Sequence, residues 1–188
     1  MSGLNITVGF STTNKLMSRL IRWITRGKVS HTWLAFDDPA LGTRLVLEAE
    51  WYGYFPKSWE VWKKKNILVS EFRLIGPDAA KALQDIGPKI GTKYDWVSAA
   101  LVGAWKWFGT WLRKRLRSPK RLMCSEAVIS VLKKAGYSSV EHFNVEVTSP
   151  QRLMDRAFEM SLVYKDQFYV LHADPKVLEY YKRLHGKD

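Results

Sequence analysis

The chain has 188 residues, 46% of them hydrophobic, and a formal charge of +12 from 30 Lys and Arg against 18 Asp and Glu. That length suits one domain with one core, and neither a Gly/Ser-rich linker nor an internal repeat marks a boundary. The single cysteine excludes an internal disulfide and fits a reducing compartment. The four histidines show no Cys-x-x-Cys or His-Glu-x-x-His spacing and no glycine-rich phosphate loop is present, so the sequence predicts chemistry without metal or cofactor.

The first ten residues, Met-Ser-Gly-Leu-Asn-Ile-Thr-Val-Gly-Phe, lack the charged start, long apolar stretch and cleavage site of a signal peptide. A cytoplasmic location is expected, with contact at the membrane periphery as an alternative. Residues 4–9 read as a strand. Residues 15–26 read as a helix with Leu16, Leu20, Ile21 and Ile24 inward and Gly27 as its stop. Strands follow near 31–36, 44–51 and 67–74. Lys63-Lys64-Lys65, beside Trp59 and Trp62, reads as a solvated loop. A helix near 78–87 has Asp78 as its cap and ends at Gly87-Pro88.

Residues 97–117 form an expected amphipathic helix. Val97, Leu101, Ala104, Phe108 and Leu112 share one face, while Lys106, Thr110, Arg113 and Arg117 share the other. Trp105, Trp107 and Trp111 flank the boundary, a pattern that suits either a helix packed on the core or one lying in a membrane interface. Its uncharged stretch ends at Lys106, short of the roughly 18–20 apolar residues needed to span a bilayer. Arg113, Lys114, Arg115, Arg117, Lys120 and Arg121 then concentrate positive charge. Such a field attracts lipid headgroups, nucleic acid or acidic polymers. Nucleic-acid binding has the weaker support, because no helix-turn-helix, zinc-ligand pairs or RNA-binding aromatic motif accompanies the charge. The chain closes with a helix over 125–135, a helix after Pro150, a strand near 168–172 and a helix from about Pro175.

Two short motifs carry the chemistry. Met123-Cys124-Ser125-Glu126 opens the 125–135 helix, in which Ala127, Val128, Val131, Leu132 and Ala135 share one face and Gly136 is the stop. Cys124 therefore sits at a helix N-terminus, where free N–H groups and the positive dipole end favour a thiolate and can steady an oxyanion. Ser30-His31-Thr32 opens the second strand, with His31, Trp33 and Ala35 on one face. Taken singly, Cys124 also reads as a small buried hydrophobe and His31 as a satisfied core histidine. On the next strand Glu48 and Glu50 share a face, with Leu45 and Leu47 opposite. If 44–51 pairs with 31–36, either carboxylate reaches the imidazole, and Glu48 is preferred over Glu50.

The order of His31, then Leu47-Glu48-Ala49, then Cys124-Ser125-Glu126 resembles the circularly permuted papain-fold enzymes of the NlpC-type superfamily, in particular the YiiX-like branch. Phe10-Ser11-Thr12-Thr13, Gly27 through His31, Tyr94-Asp95-Trp96 and Thr148-Ser149-Pro150 stand where that family has comparable elements. The resemblance implies an α+β fold in which a small antiparallel sheet packs against helices, the cysteine helix included. It makes residues 1–188 a single domain with a basic helical insertion at about 97–121. It also implies Cys124 as nucleophile, His31 as general base, Glu48 as the residue orienting His31, and Tyr94 as a possible wall of the site.

The expected activity is that of a cysteine hydrolase acting on an amide or ester through a thioester. Peptide-like amides and acyl lipids are the two competing substrate classes, the latter as in lecithin retinol acyltransferase-like permuted relatives. A membrane-associated phospholipase or acyltransferase, or a non-catalytic basic module, stands as the alternative. Trp105, Trp107, Trp111, Arg113, Lys114 and Arg117 are the residues expected to meet a membrane or anion.

Overall fold

The computed structural model describes residues 5–50, 52–76, 78, 81, 84, 86–94, 121, 122, 124–145 and 148–186. Among these, six strands form one antiparallel sheet: β1 (Ile6–Thr12), β2 (His31–Asp38), β3 (Thr43–Glu50), β4 (Gly53–Ser58), β5 (Ile67–Leu74) and β8 (Phe168–Ala173). Their order is β4-β3-β2-β1-β5-β8. A separate parallel pair joins β6 (Lys93–Tyr94) to β7 (Arg121–Leu122). Five helices accompany them among the described residues: α1 (Leu16–Thr25), α2 (Trp59–Lys63), α3 (Cys124–Lys134), α4 (Pro150–Glu159) and α5 (Pro175–Leu184). The architecture is thus α+β, as the sequence predicts.

Several boundaries have visible local causes. Ser58 accepts the Val61 N–H at the start of α2, Ser149 accepts the Arg152 N–H at α4, and Asp174 accepts from Lys176 and Val177 at α5. Each cap satisfies a donor that the helix itself leaves open, and Pro150 and Pro175 occupy first-turn positions where their missing N–H costs nothing. Gly136, at φ 85°, supplies the left-handed turn that stops α3.

The sheet is covered on both faces, which is why every residue of β1 is buried although Ile6, Val8 and Phe10 alternate with Thr7, Gly9 and Ser11. On one face Val8, Phe10, Leu34, Leu47 and Phe72 pack against α3 and α4 in the main core. On the other a smaller cluster joins Trp33, Ala35, Val46 and Trp62, with Trp59 and Leu68 against it. The rings of Trp33 and Trp62 meet edge to face at 4.8 Å. Arg44 reaches across this second face to the buried Glu71 and to Thr7.

Three expectations need correction. Leu16 and Leu20 do not face inward, being 78% and 41% exposed. Ser18 is the buried residue of α1 instead, in a hydroxyl cluster with Thr12 and Ser30. α2 was not expected, and Trp62 on it is only 1% exposed, whereas Lys64 and Lys65 lie exposed in the turn that follows, as the loop reading of the lysine run has it. β4 was not expected at all; Pro56 lies within it, as edge strands tolerate. The expected 97–117 helix and the insertion at about 97–121 fall almost entirely outside the described residues, as does half of 78–87, although Asp78 accepts the Lys81 N–H as a cap would.

Gly9 is the position where the second face is tightest. It pairs with Trp33 across β1 and β2, and a Cβ there would stand 2.0 Å from the indole ring. Gly9→Ala should therefore displace Trp33 and cost about 1–3 kcal/mol. The check is urea unfolding, in which the midpoint should fall with an unchanged slope. An unaltered midpoint would mean that the tryptophan cluster yields without cost.

Candidate active site

His31 opens β2 and Glu48 lies near the end of β3. The two strands run antiparallel with Leu34 opposite Leu47, and their ladder stops there. Beyond that pair, Glu48 extends its carboxylate diagonally, and its Oε2 meets His31 Nε2 at 3.0 Å. Glu48 is 1% exposed. Two further donors hold it: Trp62 Nε1 reaches Oε2 at 3.0 Å, and Lys57 Nζ reaches Oε1 at 2.9 Å. A buried carboxylate is tolerated only when paired and hydrogen-bonded, and these three groups, from β2, α2 and β4, supply that.

Glu50 takes the other side of Lys57, with its Oε2 2.6 Å from Nζ. Glu48 thus bonds both the imidazole and Lys57, whereas Glu50 bonds Lys57. Lys57 and Trp62 were not anticipated. The period-two pattern that placed Glu48 carried no information about β4 or α2, and Trp62 entered the sequence reading only as a neighbour of the lysine run.

Cys124 is the first residue of α3 and is 6% exposed. α3 packs on the main-core face of the sheet, whereas His31 and Glu48 belong to the opposite face. They meet at the margin where β2 begins. Burial pushes the Cys124 thiol up, but the charge of His31 and its hydrogen bond outweigh burial, helped by the backbone N–H groups of Thr32 and Ser125, and hold it below the ordinary thiol range. Because the β2–β3 ladder ends at Leu34, the Thr32 N–H is directed to sulfur rather than to β3.

His31 retains 17% side-chain exposure. Burial pushes its imidazole down, but the Cys124 thiolate, by charge and by hydrogen bond, and then Glu48 push it up to about 10. With Nε2 held by Glu48, Nδ1 is the ring nitrogen left for sulfur. Burial likewise raises Glu48, while the hydrogen bond and charge of His31, followed by Lys57, hold it down at about 2. The favoured state is a thiolate beside an imidazolium that a carboxylate supports from behind.

The structure thus brings Cys124, His31 and Glu48 together, with Glu50 one shell away through Lys57. Tyr94 belongs to β6, but its side chain is not among those described. Trp105, Trp107, Trp111, Arg113, Lys114 and Arg117 lie outside the described residues. Among the described residues no three His, Cys, Asp or Glu side chains are grouped to hold a metal. Nor is any described helix long and apolar enough to cross a membrane.

No family model matches the chain, and no curated protein matches it. Among solved structures, the metalloprotein yiiX from Escherichia coli O157:H7 is similar at 19% identity with a TM-score of 0.50, over 94% of this chain and 91% of that one. At that identity the likeness is one of fold, and the chain has a YiiX-like fold.

The held carboxylate has a pH signature. Its folded value, about 2, lies below its ordinary value of 4.5, so Glu48 stabilises the fold above about pH 4.5 and that contribution is lost as pH falls toward 2. It amounts to on the order of 3 kcal/mol at neutral pH. Glu48→Gln should be less stable than wild type at pH 6 and should lose less on acidification to pH 3, as read by urea midpoints. Equal losses in both chains would assign the acid sensitivity to other carboxylates.

Proposed function

We propose that the protein is a cysteine hydrolase of amide or ester bonds, with Cys124 as nucleophile, His31 as general acid and base, and Glu48 as the residue that orients and charges His31. The observation that carries this reading is the placement of one imidazole between a thiol at a helix N-terminus and a buried, triply bonded carboxylate. A structural cysteine has no use for such an arrangement, since burial alone would keep its thiol neutral. The chain order His31, Glu48, Cys124 also agrees with a permuted papain-like arrangement, which is the finer form of the fold that we propose.

The reaction follows from the charges. The Cys124 thiolate attacks the carbonyl carbon, forming a C–S bond and moving the carbonyl electron pair onto oxygen. As the tetrahedral species collapses, the bond to the amine or alkoxide breaks and the leaving group takes the His31 proton. The thioester remains on Cys124, and His31 is neutral. His31 then removes a proton from water, whose oxygen attacks the thioester. Collapse expels the thiolate and releases the acid, and the proton on His31 restores the ion pair. Glu48 stays ionised throughout, because His31, Lys57 and Trp62 each stabilise its charge. Near Cys124, backbone N–H groups at the start of α3 offer a place for the oxyanion.

The yiiX protein of similar fold is described as a metalloprotein. The donor set around Glu48 does not fit a resident metal. Both oxygens of Glu48 are taken by His31, Trp62 and Lys57, and the lysine places a positive charge where a cation would bind. No step is therefore routed through a metal.

The test is iodoacetamide labelling of Cys124, followed by intact mass across pH. Wild type should label rapidly at pH 6–7, where an ordinary thiol, with a pKa of about 8.5, is almost wholly protonated. His31→Ala should label about 10- to 100-fold more slowly at that pH and recover as pH rises toward 9. Cys124→Ala should abolish turnover while leaving the melting temperature close to wild type. Identical labelling profiles for wild type and His31→Ala would make Cys124 a packing residue and remove the mechanism.

A further inference from the structure

The solvent side of α1 bears two stripes. Leu16, Leu20 and Trp23 stand at i, i+4 and i+7, share one face, and are 78%, 41% and 77% exposed. Lys15, Arg19, Arg22 and Arg26 form a ridge beside them. Among the described residues none of these four is paired with a carboxylate, and the chain has no acidic residue before Asp37. The opposite side of the helix is fastened down by Ser18, which bonds to Thr12 and Ser30.

Single exposed apolar side chains are ordinary on soluble proteins. Three in register along a helix, next to four unneutralised cations, are not explained that way. The combination is what an interfacial helix needs: an apolar stripe to enter the acyl boundary, an indole at its edge and cations at headgroup level. A nucleic acid would satisfy the cations but offers no place for Leu16 and Leu20.

We infer that α1 docks on an anionic lipid bilayer, with Leu16, Leu20 and Trp23 entering the headgroup boundary and Lys15, Arg19, Arg22 and Arg26 meeting lipid phosphates. Ser30, to which α1 is bonded, immediately precedes His31, so docking holds the thiol site beside the membrane surface. The inference does not depend on thiol chemistry, and its assay does not use it.

Full-length protein is sedimented with vesicles of phosphatidylcholine, with and without phosphatidylglycerol. Wild type and Cys124→Ala should both partition onto the anionic vesicles, less so as salt increases. The double variant Leu16→Glu/Trp23→Glu should lose about tenfold or more. A control of equal charge change at other exposed apolar sites, Leu41→Glu/Tyr169→Glu, should lose far less. Melting temperatures close to wild type would establish that both variants remain folded. Equal losses in the two variants, absence of wild-type binding to anionic vesicles, or displacement by single-stranded DNA with no dependence on Leu16 and Trp23 would each overturn the inference.

Discussion

The buried carboxylate of Glu48 is the constraint around which the site is built. A charge at 1% exposure is destabilising unless its lone pairs are occupied, and the occupants come from three different elements. β2 contributes His31, β4 contributes Lys57, and α2 contributes Trp62. Removing one partner of such a buried pair typically costs about 3–5 kcal/mol, because the remaining charge is left uncompensated. The carboxylate therefore ties the conformation of His31 to the docking of β4 and α2. The imidazole has little rotational freedom, as the general acid and base of the proposed mechanism requires.

That constraint also explains why the sheet carries two unequal layers. The main core packs under α3 and α4 and positions Cys124. The tryptophan layer on the other face covers Glu48 and excludes water from it, with Trp33, Trp59 and Trp62 in mutual ring contact. The close approach of Trp33 to the sheet depends on Gly9 having no side chain. Thiol and imidazole thus come from opposite layers and meet only at the edge, where β3 has parted from β2. A regular ladder at that place would have used the Thr32 N–H for pairing and left the sulfur without it.

Much of this was legible in the sequence, for identifiable reasons. Alternation in Leu45, Leu47, Glu48 and Glu50 put the two carboxylates on one face of their strand, within reach of His31 if the strands pair, and helical spacing from Ala127 to Ala135 put Cys124 at a helix start. These are local, periodic signals. Lys57 and Trp62 have no such signal, because their role arises only when β4 folds back on β3 and α2 folds over the sheet. Pro56 sits in β4 because an edge strand tolerates it, and the run Lys63-Lys64-Lys65 marks only the exposed end of α2 and says nothing of the buried Trp62 before it. α1 failed in the opposite sense. Its periodicity was strong, but periodicity reveals that an apolar face exists and not what covers it, and Ser18 took the buried position through hydroxyl bonds.

The distribution of charge along the chain bears on how the site reaches a substrate. The ion pair of Cys124 and His31 is internally neutral, and Lys57 offsets only one of Glu48 and Glu50, so the site has no excess positive charge of its own to attract an anion. The excess of +12 must then act from elsewhere on the surface. Part of it lies on α1, just upstream of His31, in a stretch with no acidic residue to offset it. A long-range field attached to the strand that carries the base attracts an anionic surface without perturbing the proton balance of the base. Separating attraction from chemistry in this way allows a fixed, buried thiolate site to be served by a surface whose ionic environment varies. On the proposed hydrolase reading, amides or esters presented at a negatively charged surface are the substrates that this arrangement fits best.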